Sequence, residues 1–99
     1  RFNFMDYPEL TFEQPNREVF KNLDLAFYAM EHGGTTACIL NATNEIAVDA
    51  FLNDKISFSE ISQLNNDVVK SAEIITKPVY EDYVFSDSSA RQSALKLIQ

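Results

Sequence analysis

Apolar residues recur at helical spacing after the first part of the chain. They follow one another at intervals of three and four residues, and Gly33 and Gly34 then supply the left-handed stop that many helices use. The pattern predicts a first helix over residues 18–32. Its apolar stripe consists of Phe20, Leu23, Phe27 and Met30.

A second helix is predicted to begin at Thr35 or Thr36, either of which can cap it, and to end near Asn53. Apolar residues cover most of its circumference. A helix that is apolar nearly all round lies in the middle of its bundle. The remaining polar strip consists of Asn41, Asn44, Glu45 and Asp49.

A third helix is predicted to begin at residue 57. Residues 57–60, Ser-Phe-Ser-Glu, have the spacing of a capping box, and Ile56 and Ile61 are placed as its hydrophobic staple. The buried stripe of this helix is then expected to consist of Ile61, Leu64, Val68 and Ala72.

The last predicted helical segment follows Pro78. Residues 79–85 are predicted to form one short helical turn, after which Ser86 or Asp87 caps a last helix. This last helix is expected to bury Ala90, Ala94, Leu95 and Ile98.

The beginning of the chain has a different pattern. Residues 1–16 contain two prolines, Pro8 and Pro15, and short runs of alternating apolar residues, which favour an extended arm with one short strand. Residues 17–99 form the helical domain. The fold class predicted is therefore all-α, a compact four-helix bundle-like domain preceded by an extended N-terminal arm.

Composition narrows the function classes. A chain of 99 residues, 45% of them hydrophobic, is large enough for one core. Its net charge of -7 disfavours nucleic acid and anionic membrane surfaces as partners. The apolar runs are too short to span a bilayer, and the start lacks a signal peptide and a Met, which suggests a fragment. The single cysteine, Cys38, fits a reducing compartment.

The polar strip on the second helix is the first candidate site. Asn41, Asn44 and Glu45 share one face and are placed to contact another domain or a ligand, or to satisfy buried backbone groups, which is the more common use of such residues. Glu45 and Asp49 with His32 would supply three metal ligands only if the first two helices crossed closely. The zinc and calcium loop motifs are absent.

Two further groups have both a structural and a functional interpretation. Cys38 is expected to pack as a small hydrophobe rather than to act as a nucleophile. The aromatic residues Tyr80, Tyr83 and Phe85 are compatible with a partner surface, but their spacing favours the core. The two glycines are adjacent, so the chain contains no glycine-rich phosphate loop.

A longer motif lies on the second helix. Residues 40–48 read LNATNEIAV and residues 50–52 read AFL, which resembles the LNAANE-x-AV-x-AFL signature of the 1-deoxy-D-xylulose 5-phosphate reductoisomerase family. In the same order, residues 10–15 (LTFEQP) are similar to the family's LTFEAPD segment, residues 23–26 (LDLA) to LRLA and residues 56–58 (ISF) to IRF. The resemblance spans nearly the whole chain.

A few positions depart from the family pattern. Asn16 replaces an aspartate, Lys21 and Asn22 replace Pro-Cys, and Thr43 replaces an alanine. These changes alter a helix entry and one packing position.

The resemblance implies that this segment closes a longer enzyme. That enzyme rearranges 1-deoxy-D-xylulose 5-phosphate and reduces the product with NADPH to 2-C-methyl-D-erythritol 4-phosphate, using Mg²⁺ or Mn²⁺, in the non-mevalonate route to isoprenoids. Residues 1–16 would be the connecting arm from an upstream catalytic domain. A homodimer is implied for the full-length enzyme, in the bacterial cytoplasm or in a plastid.

No residue of this segment receives a catalytic, cofactor-binding or metal-binding role from the resemblance, because those residues of the family lie upstream. Asn41, Asn44 and Glu45 are predicted to make structural or interdomain contacts. The alternative from another class is a free-standing helical module that binds a partner protein.

Overall fold

The structure, a computed structural model, describes residues 14–98, with side chains from residue 17. Within this range four helices follow one another without any strand, which confirms the all-α bundle. The greater part of the predicted arm, residues 1–13, lies outside the described residues. The helices are α1 (Gln14–His32), α2 (Thr36–Leu52), α3 (Phe58–Ser71) and α4 (Tyr80–Ile98).

Helix α2 lies in the middle of the bundle, as its all-round apolar pattern predicts. It contacts the three other helices, as α3 also does, whereas α1 and α4 do not contact each other within residues 14–98. Ala42 and Ala47 are fully buried and Ile39 nearly so. Because alanines occupy much of its surface, the neighbouring helices can approach its backbone closely. No helix in the described part of the chain is long and apolar enough to cross a membrane.

Helix α1 begins earlier than the apolar pattern predicts. It begins at Gln14, so residues 14–16, assigned above to the arm, are helical. Pro15 does not prevent this, because a proline in the first turn of a helix removes no intrahelical hydrogen bond.

The buried face of α1 also differs from the expected stripe. Phe27 and Met30 are 38% and 76% exposed, whereas Leu25 and Ala29 are buried. Glu18, a charged residue that no hydrophobic pattern would include, is 2% exposed. The buried face of α1 depends on the residues of α3 that it contacts. One of them, Ser62, donates its hydroxyl to Glu18, and the spacing of apolar residues cannot predict such a polar partner.

The turn between α1 and α2 uses both glycines. Gly33 and Gly34 have φ angles of 67° and 57°, the left-handed conformation expected of a helix stop. Behind them, the fully buried Thr35 joins this turn to the connection between α3 and α4. Its backbone N–H donates to the Ile75 carbonyl at 3.1 Å, and its Oγ1 accepts from the Ile75 N–H at 3.0 Å.

The third helix begins as predicted. A capping box forms at its start, with the Ser57 N–H donating to Glu60 Oε1 at 2.7 Å. This hydrogen bond lowers the pKa of Glu60. Ile61, Leu64 and Val68 are buried in the central core, against which Ile56 and Ala72 pack.

The prediction of a separate turn before the last helix was wrong. Helix α4 continues from Tyr80 to Ile98 without interruption at Ser86 or Asp87. Its start is fixed instead by Asp82, whose Oδ2 accepts a hydrogen bond from the Val79 N–H at 3.0 Å. Ser86 is 4% exposed and belongs to the buried face, so its hydroxyl does not mark a helix start.

The buried face of α4 runs along residues spaced by four. Ala90 and Ala94 are buried as predicted and Ile98 packs against the core, but Leu95 is 49% exposed, contrary to expectation. Residue 95 lies about 100° around the helix from residue 94, which places it at the edge of the contact with α2.

We expect Gly34→Ala to destabilise the fold much more than Gly33→Ala. A Cβ at Gly34 would clash with the Ile75 carbonyl oxygen, whereas one at Gly33 meets nothing within 4 Å. Both variants incur the left-handed strain of about 1–2 kcal/mol, and the clash adds roughly 1–3 kcal/mol at Gly34 only. Urea unfolding measures both free energies, and equal losses would contradict this account of the turn.

Candidate interdomain surface

The polar strip on α2 divides into two networks. One contains Asn44, whose Oδ1 accepts a hydrogen bond from Asn65 Nδ2 at 3.0 Å. The same Nδ2 donates to Asn22 Oδ1 at 3.2 Å. One carboxamide on α3 therefore connects α1 and α2.

Asn65 is the member of this network that the sequence analysis missed. It is 1% exposed, and its Oδ1 accepts no hydrogen bond from any described residue. A detectable signal was present, because residue 65 lies beside Leu64 on the stripe that also contains Ile61 and Val68. A polar residue on a buried stripe requires a partner.

The second network lies on the surface between α2 and α4. Asn41 Nδ2 donates to Glu45 Oε2 at 3.2 Å, and Glu45 Oε1 lies 3.3 Å from Arg91 Nη2. Arg91 also pairs with Asp87 on its own helix at 3.1 Å. These partners fix the exposed Glu45 side chain on the surface between α2 and α4. Asp49 takes no part, since it accepts from Asn53 at the end of α2.

A groove of about 420 Å³ lies between α1 and α2, beside both networks. Its apolar wall consists mainly of alanines, and its polar wall consists of carboxamides. No charged residue lines it. The residues are Asn22, Ala26, Ala29, Met30, Ala37, Leu40, Asn41, Asn44 and Asn65.

The aromatic residues near the start of α4 are exposed, so the expectation that they fill the core was wrong. Tyr80 is 75% exposed, Phe85 67% and Tyr83 43%. The continuous helix explains the exposure of Phe85, because its buried face passes through Ser86 and Ala90. Tyr83 lies seven residues before Ala90 and so on the side of α2, where its carbonyl oxygen accepts from the Cys38 thiol, and it is the least exposed of the three. Val79 and Val84, 59% and 51% exposed, extend the same apolar surface.

The other sequence candidates stand apart from the groove. The Cys38 thiol donates weakly to the Tyr83 carbonyl at 3.5 Å, and burial, with Asp87 nearby, raises its pKa, which disfavours the thiolate. His32 stacks on Tyr28, with ring centroids 3.8 Å apart, and its Nδ1 lies 2.9 Å from the Tyr28 carbonyl oxygen. Among the described residues, no three His, Cys, Asp or Glu side chains converge as metal ligands.

Comparison with known proteins identifies the family. Residues 1–93 match the family described as the DXP reductoisomerase C-terminal domain. The chain belongs to this family.

Individual relatives agree over nearly the full chain. The chain is 46% identical over 98 residues to the 1-deoxy-D-xylulose 5-phosphate reductoisomerase of Phocaeicola vulgatus, a match that covers 99% of the chain and 26% of the relative. It is 42% identical to that of Ruminiclostridium cellulolyticum, over 99% of the chain and 26% of the relative, and 38% identical to that of Caldanaerobacter subterraneus, over 94% and 25%. The chain thus spans about a quarter of the length of the curated relatives it matches.

In this member of the DXP reductoisomerase C-terminal domain family, the buried carboxylate of Glu18 attaches α1 to α3. Ser62 on α3 donates its hydroxyl to Glu18, and Lys21 Nζ lies 3.3 Å from Glu18 Oε2. The hydroxyl bond and then the lysine lower the pKa of Glu18, and this effect exceeds the opposing effect of burial. The carboxylate therefore remains charged while buried.

We expect Ser62→Ala to destabilise the fold by about 1–3 kcal/mol at neutral pH, because Glu18 would remain buried without its hydroxyl donor. With its native pKa lowered, Glu18 contributes stability above its ordinary pKa of 4.5 and loses it as pH falls through the native value. The variant should lose less stability on acidification than the parent protein.

Urea unfolding from neutral to acid pH measures this difference. Ser71→Ala is the matched control, since the Ser71 hydroxyl bonds only to carbonyl groups of its own helix. Identical pH profiles for the parent and Ser62→Ala proteins would refute the role assigned to this bond.

Proposed function

We propose that this chain is the C-terminal supporting domain of a longer reductoisomerase, and that the longer protein converts 1-deoxy-D-xylulose 5-phosphate to 2-C-methyl-D-erythritol 4-phosphate. The observation that carries the proposal is the match of residues 1–93 to the family, combined with coverage of only a quarter of each relative. NADPH and Mg²⁺ or Mn²⁺ would act in the upstream domains, in a homodimer of the bacterial cytoplasm.

The exposed apolar surface supports a role that depends on other domains. Met30, Tyr80 and Phe85 are each at least two thirds exposed, and Leu52 is 72% exposed. Large apolar side chains gathered in a patch, such as those at the start of α4, mark surfaces that bind protein. In a supporting domain these surfaces pack against the remainder of the same polypeptide.

The side chains of the bundle support a structural role rather than a chemical one. The buried Glu18 pairs with Ser62 and Lys21, and Glu45 pairs with Arg91. Each of these two carboxylates therefore takes part in a contact that joins two helices. We assign no catalytic, cofactor-binding or metal-binding residue to residues 17–98.

A free-standing interaction module remains the alternative from another class. The aromatic surface on α4 would serve such a module equally well. The family match favours the supporting domain, because the matched relatives carry the same segment within a chain about four times as long.

Enzyme activity tests the proposal. We would fuse the upstream part of the Phocaeicola vulgatus relative to this chain and compare four proteins: the fusion, the intact relative, the relative without its matching segment, and this chain alone. NADPH absorbance is followed with 1-deoxy-D-xylulose 5-phosphate and Mg²⁺. We expect turnover by the first two, and a loss of about a hundredfold or more without the segment.

Turnover by this chain alone would show that the active site lies within it. Equal activity with and without the segment would remove the supporting role. A folded but silent fusion beside an active relative would refute the proposed function for this chain.

The strip on α2 gives a second test. In the fusion, Asn44→Leu removes one of the two acceptors of Asn65 and should lower stability by about 0.5–1.5 kcal/mol. Asn66→Leu is the control, because the structure shows no hydrogen bond of the Asn66 side chain. Thermal unfolding with unchanged stability and activity for Asn44→Leu would contradict the structural role of Asn44.

A further inference from the structure

The groove between α1 and α2 is an apolar surface without a cover among the described residues. Ala26, Ala29 and Met30 form its α1 wall, and Ala37 and Leu40 form its α2 wall. Met30 is 76% exposed, the most exposed large hydrophobic side chain among the described residues. The alanines leave space between the helices that one aliphatic side chain would fill.

Carboxamides along one side of the groove have unused hydrogen-bonding groups. Asn65 is 1% exposed, and its Oδ1 has no partner among the described residues. A buried acceptor without a donor is destabilising, so a donor that enters here stabilises the fold. Asn44 donates through its own Nδ2 to no described residue, so one donor and one acceptor are available together.

The chemistry of the groove selects its occupant. A carboxamide carries one acceptor and one donor group, the same combination as a peptide group, so Asn44 and Asn65 are suited to pair with a backbone. The chain carries a net charge of -7, yet no charged residue lines the groove. A phosphate would find no cation there and a metal ion no carboxylate.

The length of the relatives indicates which polypeptide could supply a backbone segment to the groove. The matched relatives are about four times as long as this chain, and the family is described as a C-terminal domain. Most of the longer polypeptide would therefore precede this segment and share one molecule with it. Attachment gives it a high effective concentration at the groove, which an untethered peptide lacks.

We propose that the groove binds an uncharged, extended segment of the upstream polypeptide. An aliphatic side chain of that segment lies against Met30 and the alanines, and its backbone pairs with Asn44 and Asn65. This inference rests on the proposed function, since it requires the upstream domains, and it names the surface of the bundle that they occupy.

Thiol labelling of the fusion described above tests the proposal. With Cys38 and every cysteine of the upstream part replaced by alanine, Met30→Cys places a single thiol in the groove, and Leu97→Cys places one on an exposed site outside it. We expect Met30→Cys to react at least about tenfold more slowly in the fusion than in this chain alone. Leu97→Cys should change by less than about twofold.

Equal rates for Met30→Cys in the two proteins would overturn the proposal, as would equal protection of both thiols. Slow labelling of Met30→Cys in this chain alone would also overturn it. If that protection is independent of concentration, residues 1–13 occupy the groove, and if it rises with concentration, a second copy of the chain does. NADPH oxidation by the parent fusion reports on the proposed function separately, so an active fusion with an unprotected thiol refutes only the groove assignment.

A blocking substitution gives an independent measurement. Ala37→Trp fills the groove, and Val48→Trp places the same side chain on an exposed position of the same helix outside it. In this chain alone the two variants should unfold at similar temperatures. In the fusion Ala37→Trp should unfold at the lower temperature, and equal temperatures there would overturn the proposal.

Discussion

The structure depends on close packing around α2. This helix, like α3, contacts the other three, and its contact surface is built largely from residues with little side-chain volume. Ala42 and Ala47 have no exposed surface, and Ala50 is 4% exposed. Alanine allows the neighbouring helices to come near the α2 backbone, where a larger side chain would force them apart. The small residues of the signature run thus have a packing reason, which holds independently of any chemistry elsewhere in a longer protein.

Apolar packing alone would leave the position of α1 loosely defined. Polar contacts with α2 and α3 fix that position. Glu18 joins α1 to Ser62 on α3, and Asn65 on α3 reaches both Asn22 and Asn44. Each of these contacts requires defined distances and directions, whereas apolar surfaces tolerate sliding. They also fix the separation of α1 and α2, which defines the groove. The surface proposed to receive the upstream polypeptide is therefore held open by the same carboxamides that would bind it.

The proposed supporting role depends on the outer surface of the bundle. A domain that supports others needs stable internal packing together with apolar surfaces directed outward. The groove beside Met30 and the aromatic residues on α4 meet the second requirement. Two carboxylates are paired within the described part of the chain, Glu18 with Lys21 and Glu45 with Arg91.

The sequence by itself determined the helices, the glycine turn, the capping box and the family, because each depends on residues close together in the chain. Residues 40–48 alone carry most of the family signature, and the apolar circumference of α2 predicts its central position. Only the tertiary structure decided which side of α1 is buried, that α4 continues through Ser86, and that Tyr80 and Phe85 point outward. The buried side of α1 depends on partners more than 40 residues away, Ser62 for Glu18 and Asn65 for Asn22. Local spacing cannot encode a partner that is brought near only when the helices pack.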